Sequence, residues 1–409
     1  MSLLRVLHVT PYCGEAWAYG GIPRVVDASV RALAERGHQV EICATDACGA
    51  ASRLRRAPRR FRRWPPILVR EGVTLHVFPN LSNRAAYYAQ LFLPVGLGSF
   101  LRRHARRFDV AHVHACRNLP GTIAARELRR AGVPVVLAPN GTAPLVERRR
   151  RAKRLFDGVF GRVLDSADVV LAVTAAEERQ LQQLGVPAAR VRLVPNPVSL
   201  EEFDAPARRG VFRATLGLDA TTPVVVFLGK LTPRKRVDVL IRAFRRLLAA
   251  TPSLAGGRLV IAGNDMGAGG AARTLARTEG VDGRVTFCGL LEGRHRLEVL
   301  ADADVVVYPG EDEIFGLVPL EALLTGAPVI VAGDSGCGEV IAGMGGGPIV
   351  AAGDVAALSA AMGEVLANPD SFRAKATAAA PLVRERYGSA AVAATLEGLY
   401  RELAAARRS

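Results

Sequence analysis

Residues Ala303 to Glu339 read ADVVVYPGEDEIFGLVPLEALLTGAPVIVAGDSGCGE. The apolar run Val305 to Tyr308 predicts a buried strand that stops at Pro309. Gly310 to Gly316 form an acidic, glycine-bearing loop. From Leu317 the apolar positions take helical spacing until Gly326, ahead of a second short strand, Val329 to Val331. Strand, loop and helix in that order aim a helix N-terminus above the sheet, where unpaired backbone N–H groups suit an anion such as a diphosphate. Glu313 lies in the loop and Glu321 in the helix that follows. Carboxylates beside phosphates repel them, so these two are suited to accepting hydrogen bonds from sugar hydroxyls.

Outward from this stretch, 409 residues are enough for two ordinary domains, and a hydrophobic fraction of 50% supports large cores and argues against wholesale disorder. The opening MSLLRVLHVTPYCGE is strand-like and shows no cleavage pattern, so no signal peptide is expected. The six cysteines contain no C-x-x-C pair, which favours reduced thiols and a cytoplasmic setting over a disulfide framework or zinc site. Charge is lopsided. Residues 1–200 carry 31 Lys plus Arg against 14 Asp plus Glu, a net of +17, whereas residues 201–409 carry 23 against 24. An excess confined to one half points to an anionic partner on that half.

Glu313 and Glu321 bracket seven residues. Phe315-Gly316 follows the first, Ala322 the second, and Gly326, Pro328, Gly336 and Gly338 come after. This pattern resembles the E-x7-E signature of the retaining glycosyltransferases of family 4, which have the GT-B fold: α/β, two Rossmann-like doubly wound parallel-sheet domains facing a cleft. The expected division is an acceptor-side domain over residues 1–200, a donor-binding domain over 201–385, and a C-terminal stretch, 386–409, returning to the first domain. Under this resemblance Glu321 meets ribose hydroxyls and Glu313 meets the transferred sugar. Phe315, Gly316 and Leu317 belong to the donor site, with backbone N–H groups near Gly316 and Leu317 facing its diphosphate.

Along the first half, Leu4 to Val9 reads as a strand, followed by Gly20-Gly21 before a helix, Arg24 to Arg36. The family places a glycine-rich loop there, facing the donor phosphate across the cleft. Arg53 to Trp64 (RLRRAPRRFRRW) holds seven arginines in twelve residues, with Phe61 and Trp64 suited to a headgroup region. Ala85 to Leu101 is free of charge for 17 residues but is broken by Pro94, Gly96 and Gly98, so it reads as a buried helix pair or an interfacial patch, not a membrane span. Val110 to His114 is a strand. The family commonly places His or Arg near the reacting sugar just before the glycine of Asn140-Gly141. Asn140 cannot act as a base or a cation, and His114 is the nearest histidine available as a catalytic group. Arg148 to Arg154 opens a basic helix with Phe156, Val159, Phe160 and Val163 at helical spacing.

In the second half, Val224 to Leu228 leads to Gly229-Lys230 and then LTPRKR before a helix from Val237. The family pattern is G-R, four residues, then K-G, with both cations on the donor diphosphate. Here Lys230 replaces the arginine, Lys235 is kept, and Arg236 stands in place of the glycine; lysine keeps the charge without the bidentate fork. The strand ends at Gly263 and at Cys288 to Leu291 would flank a nucleobase. Asp302 and Asp304 form a D-x-D that precedes a strand and is read as structural, so no metal or other cofactor is expected. The resemblance implies a UDP- or GDP-linked sugar donor and a glycan or lipid-linked acceptor. An anionic membrane surface is a further partner, met as a peripheral cytoplasmic protein. A related epimerase or phosphorylase and a non-enzymatic polyanion binder fit parts of the same pattern. The arginines and aromatics match no nucleic-acid motif.

Overall fold

The structure, a computed structural model, describes residues 3–14, 16–49, 52–54, 67–145, 150–205 and 207–408. The chain divides into two compact units, Met1–Pro197 with Ser389–Ser409, and Val198–Gly388.

The first unit holds β1 (Arg5–Val9), β2 (Gln39–Thr45), β3 (Ile67–Arg70), β4 (Val73–Phe78), β5 (Val110–His114), β6 (Val135–Ala138), β7 (Val169–Ala172) and β8 (Val191–Leu193). They form one sheet in the order β3-β4-β2-β1-β5-β6-β7-β8. Sequence reading expects an all-parallel sheet, but β3 pairs antiparallel with β4 at the edge. The reason is local. Only Glu71 and Gly72 join the two strands, both at positive φ (49° and 78°), and a two-residue turn of that kind makes a hairpin and leaves no room for a crossover. The inner strands are buried on both faces, as the unbroken apolar runs of β6 and β7 require, and β5 is buried with its two histidines. The helix Ser389–Arg408 belongs to this unit and buries Val392, Leu396, Leu399 and Tyr400 in its core.

The charge-free segment becomes two helices, Asn83–Ala89 and Leu97–His104. The second packs Leu97, Phe100 and Leu101 into the core, whereas Tyr88, Leu91 and Val95 before it stay exposed. Of the arginine-rich run, Arg53 pairs with Asp46 at 2.6 Å, and residues 55–66 lie outside the described residues. Among the described residues no helix is long and apolar enough to cross a membrane.

The second unit contains β9 (Val224–Leu228), β10 (Arg258–Ala262), β11 (Val285–Gly289), β12 (Val305–Tyr308), β13 (Val329–Ala332) and β14 (Ile349–Val350), all parallel, in the order β11-β10-β9-β12-β13-β14. The helix Val237–Ala250 covers this sheet with Val237, Leu240, Ile241, Phe244 and Leu247, the apolar stripe legible in its sequence. Strand order reverses between β9 and β12, which are neighbours although Val306 and its partner Val226 lie 80 positions apart in the chain. In open parallel sheets such a reversal opens a crevice at the carboxyl ends of the two strands. The matching reversal in the first unit lies between β1 and β5.

Candidate functional site

The loops after β9 and β12 meet at that reversal in the second unit and are laced together through backbone and side chain. Glu311 N–H donates to Arg234 O at 2.9 Å, and the Arg234 guanidinium donates to the carbonyls of Glu311 (3.3 Å) and Asp312 (2.5 Å). Arg236 pairs with Glu311 and with Asp238. The lacing places Lys235 Nζ 2.8 Å from Glu313 Oε2 and 4.2 Å from the centre of the Tyr308 ring, with the Tyr308 hydroxyl contacting both charged groups. Burial pushes the Glu313 carboxyl up, but Lys235, Arg234 and Lys230 outweigh it and hold the group below its ordinary value, so it stays ionised. Burial, then the Glu313 charge, raises the Tyr308 phenol well above its usual range and keeps it a hydrogen-bond donor.

Two glycines are set by close approach. Gly316, at φ 77°, precedes the helix Leu317–Leu324, and a Cβ there would lie 2.5 Å from Cys337 Sγ. Gly263, at φ 144°, leaves so little space that a Cβ would meet Gly229 O at 1.8 Å. Arg236 occupies a left-handed conformation (φ 49°), which is why glycine suits this position; its two ion pairs hold the strained residue in place. Phe315 is 4% exposed and packs edge-on against Tyr387, so its ring belongs to the core while the backbone beside it fronts the helix N-terminus.

Glu321 is fully buried, and its Oε2 accepts from Arg296 at 2.5 Å; Arg296 also pairs with Glu202. In this structure Glu321 is therefore an ion-pair partner inside the fold, and nothing in its spacing from Glu313 could have revealed Arg296, 25 positions earlier in the chain. Asp302 and Asp304 are structural as expected. Asp302 accepts from the Gly210 and Arg213 N–H groups, and Asp304 pairs with Arg213 at 2.7 Å and Arg209 at 2.5 Å. Beside Gly229 the ends of β10 and β11 line a pocket with Leu231, Asn264, Arg273, Phe287 and Leu290, where the Arg273 guanidinium lies 4.3 Å above the Phe287 ring. Sequence reading placed a nucleobase between these strand ends but missed Arg273, Tyr308 and Arg296, which sit in ordinary helical or strand positions, and the lacing role of Arg234 in the loop after β9.

In the first unit, Gly20 (φ 97°) and Gly21 close the segment between β1 and the helix Ile22–Glu35, with Gly21 as its N-cap. Asn140 has φ 51°, and both polar atoms of its side chain are buried without a hydrogen-bond partner among the described residues. The next residue, Gly141, donates to Glu177 at 2.6 Å, and burial pushes that carboxyl up to about 7.

His114 does not reach a site. It is 1% exposed and lies among rings, with its Nε2 3.0 Å from His8 Nδ1, while His112 Nδ1 meets the Tyr400 hydroxyl at 2.6 Å. A histidine two residues after another on a strand shares its face, and here that face is covered by the C-terminal helix instead of opening to a ligand. One nitrogen of each of His8, His112 and His114 lies within 4.8 Å of the others. The His114 ring lies at 19° to the plane of His8 and at 22° to that of His112. The three imidazoles are packed in the core and held neutral by burial. Burial lowers His114 from 6.5 to about 3, and lowers His8 and His112 well below their usual value. A depressed histidine contributes stability that is present above pH 6.5 and is lost as pH falls below it, because the unfolded chain takes up the proton first. Each such ring is expected to steepen the acid loss by about 1.4 kcal/mol per pH unit. Urea midpoints compared at pH 7 and 5.5 check this; an unchanged slope in His114→Gln would show that the ring titrates normally.

Two parallel-sheet units, with laced cationic loops at the strand reversal of the second, define a GT-B glycosyltransferase. The chain belongs to the glycosyltransferases matched by Glycosyltransferase Family 4 over residues 19–202 and by Glycosyl transferases group 1 over residues 209–382. It is 32% identical to the D-inositol 3-phosphate glycosyltransferase of Thermobispora bispora, over 96% of this chain and 91% of that one. The protein of the same name from Nocardia farcinica is 31% identical, over 89% and 80%. Sucrose-phosphate synthase from Thermosynechococcus elongatus superposes with a TM-score of 0.75 at 20% identity, covering 98% of this chain and 100% of that structure. Anabaena Alr3699/HepE in complex with UDP and glucose gives 0.72 at 16%, with coverage of 98% and 100%. At these identities the structures share the fold.

Proposed function

We propose that this enzyme moves a sugar, with retention of configuration, from a UDP- or GDP-linked donor to a glycan or lipid-linked acceptor of cell-envelope or exopolysaccharide synthesis. The observation that carries the reading is the Lys235–Glu313 pair, held by Tyr308 just before a helix N-terminus. Lys235 and Lys230, with the first N–H groups of the Leu317–Leu324 helix, meet the charge that grows on the leaving diphosphate, so this reading requires no metal ion. Glu313, kept ionised, accepts from hydroxyls of the transferred sugar, and the Arg273–Phe287 pocket takes the base. Solved structures of similar fold hold UDP, UDP-glucose or ADP, which supports a nucleotide donor. The basic first half takes the acceptor, on the inner face of an anionic membrane.

A thermal-shift screen of UDP- and GDP-sugars tests the reading, because a ligand of the native state raises the melting temperature. Glu313→Gln is expected to spare free-nucleotide binding and to slow transfer. Free-nucleotide affinity lost in Glu313→Gln would move this residue from the sugar to the nucleotide, and no stabilisation by any nucleotide-sugar overturns the reading.

A further inference from the structure

The helix Arg150–Phe160, RRAKRLFDGVF, has the pattern of a helix with one apolar face, yet none of its residues is buried. At 100° per residue Ala152, Leu155, Phe156, Val159 and Phe160 gather on one side, and Arg150, Arg154 and Asp157 on the other. In a globular surface helix the apolar side faces the core. Here it faces out: Leu155 is 68% exposed, Val159 64% and Phe160 47%. The polar side is the one held to the fold. Arg117 donates from Nε to both Asp157 oxygens at 3.0 Å, and from Nη1 to the carbonyls of Thr142 (3.0 Å) and Ala143 (2.7 Å). With 11% and 16% side-chain exposure, this pair is a mostly buried clamp that fixes which face looks outward. Immediately after the helix, Val163 and Leu164 are buried and anchor its C-terminal end.

We propose that this outward face docks on an anionic lipid bilayer, with Leu155, Val159 and Phe160 at the boundary between headgroups and acyl chains. Arg150, Arg151 and Arg154 are exposed. Arg151 rims the apolar face, and its side chain is long enough to reach lipid phosphates while its stem lies along apolar surface; Arg150 and Arg154, on the opposite side, add positive charge at longer range. An acidic protein groove would match the charge but would not need a flat apolar face this exposed. A bilayer matches both, and the net charge of +17 over residues 1–200 adds attraction to it. The inference deepens the reading of the acceptor side given above by naming the element that meets the membrane.

The test uses the full chain and vesicles of phosphatidylglycerol and phosphatidylcholine in equal parts. The triple variant Leu155→Ser, Val159→Ser, Phe160→Ser is expected to keep its melting temperature, since all three side chains are exposed, and to lose roughly 100-fold in vesicle partition. Phe160→Trp should show a blue shift in emission on adding these vesicles and none with phosphatidylcholine alone. Unchanged vesicle binding by the triple variant overturns the proposal and leaves glycosyl transfer standing. A wild-type dimer that the triple variant turns into monomer overturns it too, in favour of a second copy of this chain. Vesicle binding lost in the triple variant, without nucleotide-sugar stabilisation of the wild type or the variant, supports the docking face while removing the proposed UDP- or GDP-linked donor.

Discussion

Lys235→Ala is expected to lower sugar transfer by about 10²–10³-fold with the fold intact, since removing one donor to developing charge costs about 2.7–4 kcal/mol of barrier. The side chain is 12% exposed and lies 2.8 Å from Glu313, so the substitution removes a fixed charge and not a mobile one. It also takes away the strongest influence holding the Glu313 carboxyl below its ordinary value. The acid limb of the pH–rate profile should therefore move to higher pH in the variant, a change that simple loss of packing would not produce. Turnover near that of the wild type, or an unmoved acid limb, would count against both roles of Lys235.

The second large effect is on stability. Arg296 is 7% exposed in its side chain and holds Glu321, which is 0% exposed. Arg296→Met leaves that carboxylate buried without its guanidinium, and breaking a buried pair from one side costs about 3–5 kcal/mol. Urea denaturation should show a midpoint shift of that size with the slope unchanged. Adding Glu321→Gln to the same chain should recover part of the loss, because the stranded charge is gone. Glu202→Gln, whose side chain is 31% exposed, is expected to cost about 1 kcal/mol or less. An Arg296→Met chain as stable as the wild type would mean that Glu321 reaches solvent or another cation.

Sequence reading located both loops of the candidate site, because each is a local pattern: an apolar run, a glycine, a charged turn and a helix start. Lys230, Lys235, Glu313 and Gly316 were all legible in this way. It also singled out the ends of β10 and β11, which line the Arg273–Phe287 pocket. Three features were not legible. His114 looked available at the end of a strand but is buried against His8 and His112, the second of which meets Tyr400 from a distant part of the chain. Glu321 matched a motif whose spacing carries no trace of Arg296. The edge pairing of β3 was hidden because a short apolar run does not announce its direction.

By itself the sequence determined the alternation of strand and helix, the charge imbalance and the residue types in the loops after β9 and β12. These follow from periodicity and turn chemistry, which act over a few residues. Only the tertiary structure decided which partners those residues meet. Pairing of β9 with β12 brings Lys235 to Glu313, and the Arg117–Asp157 clamp turns the apolar side of the Arg150–Phe160 helix outward. The physical reason is the same in each case. Periodicity shows that a helix has an apolar face or that a loop carries a charge, but what covers that face or answers that charge comes from chain segments brought together by long-range packing.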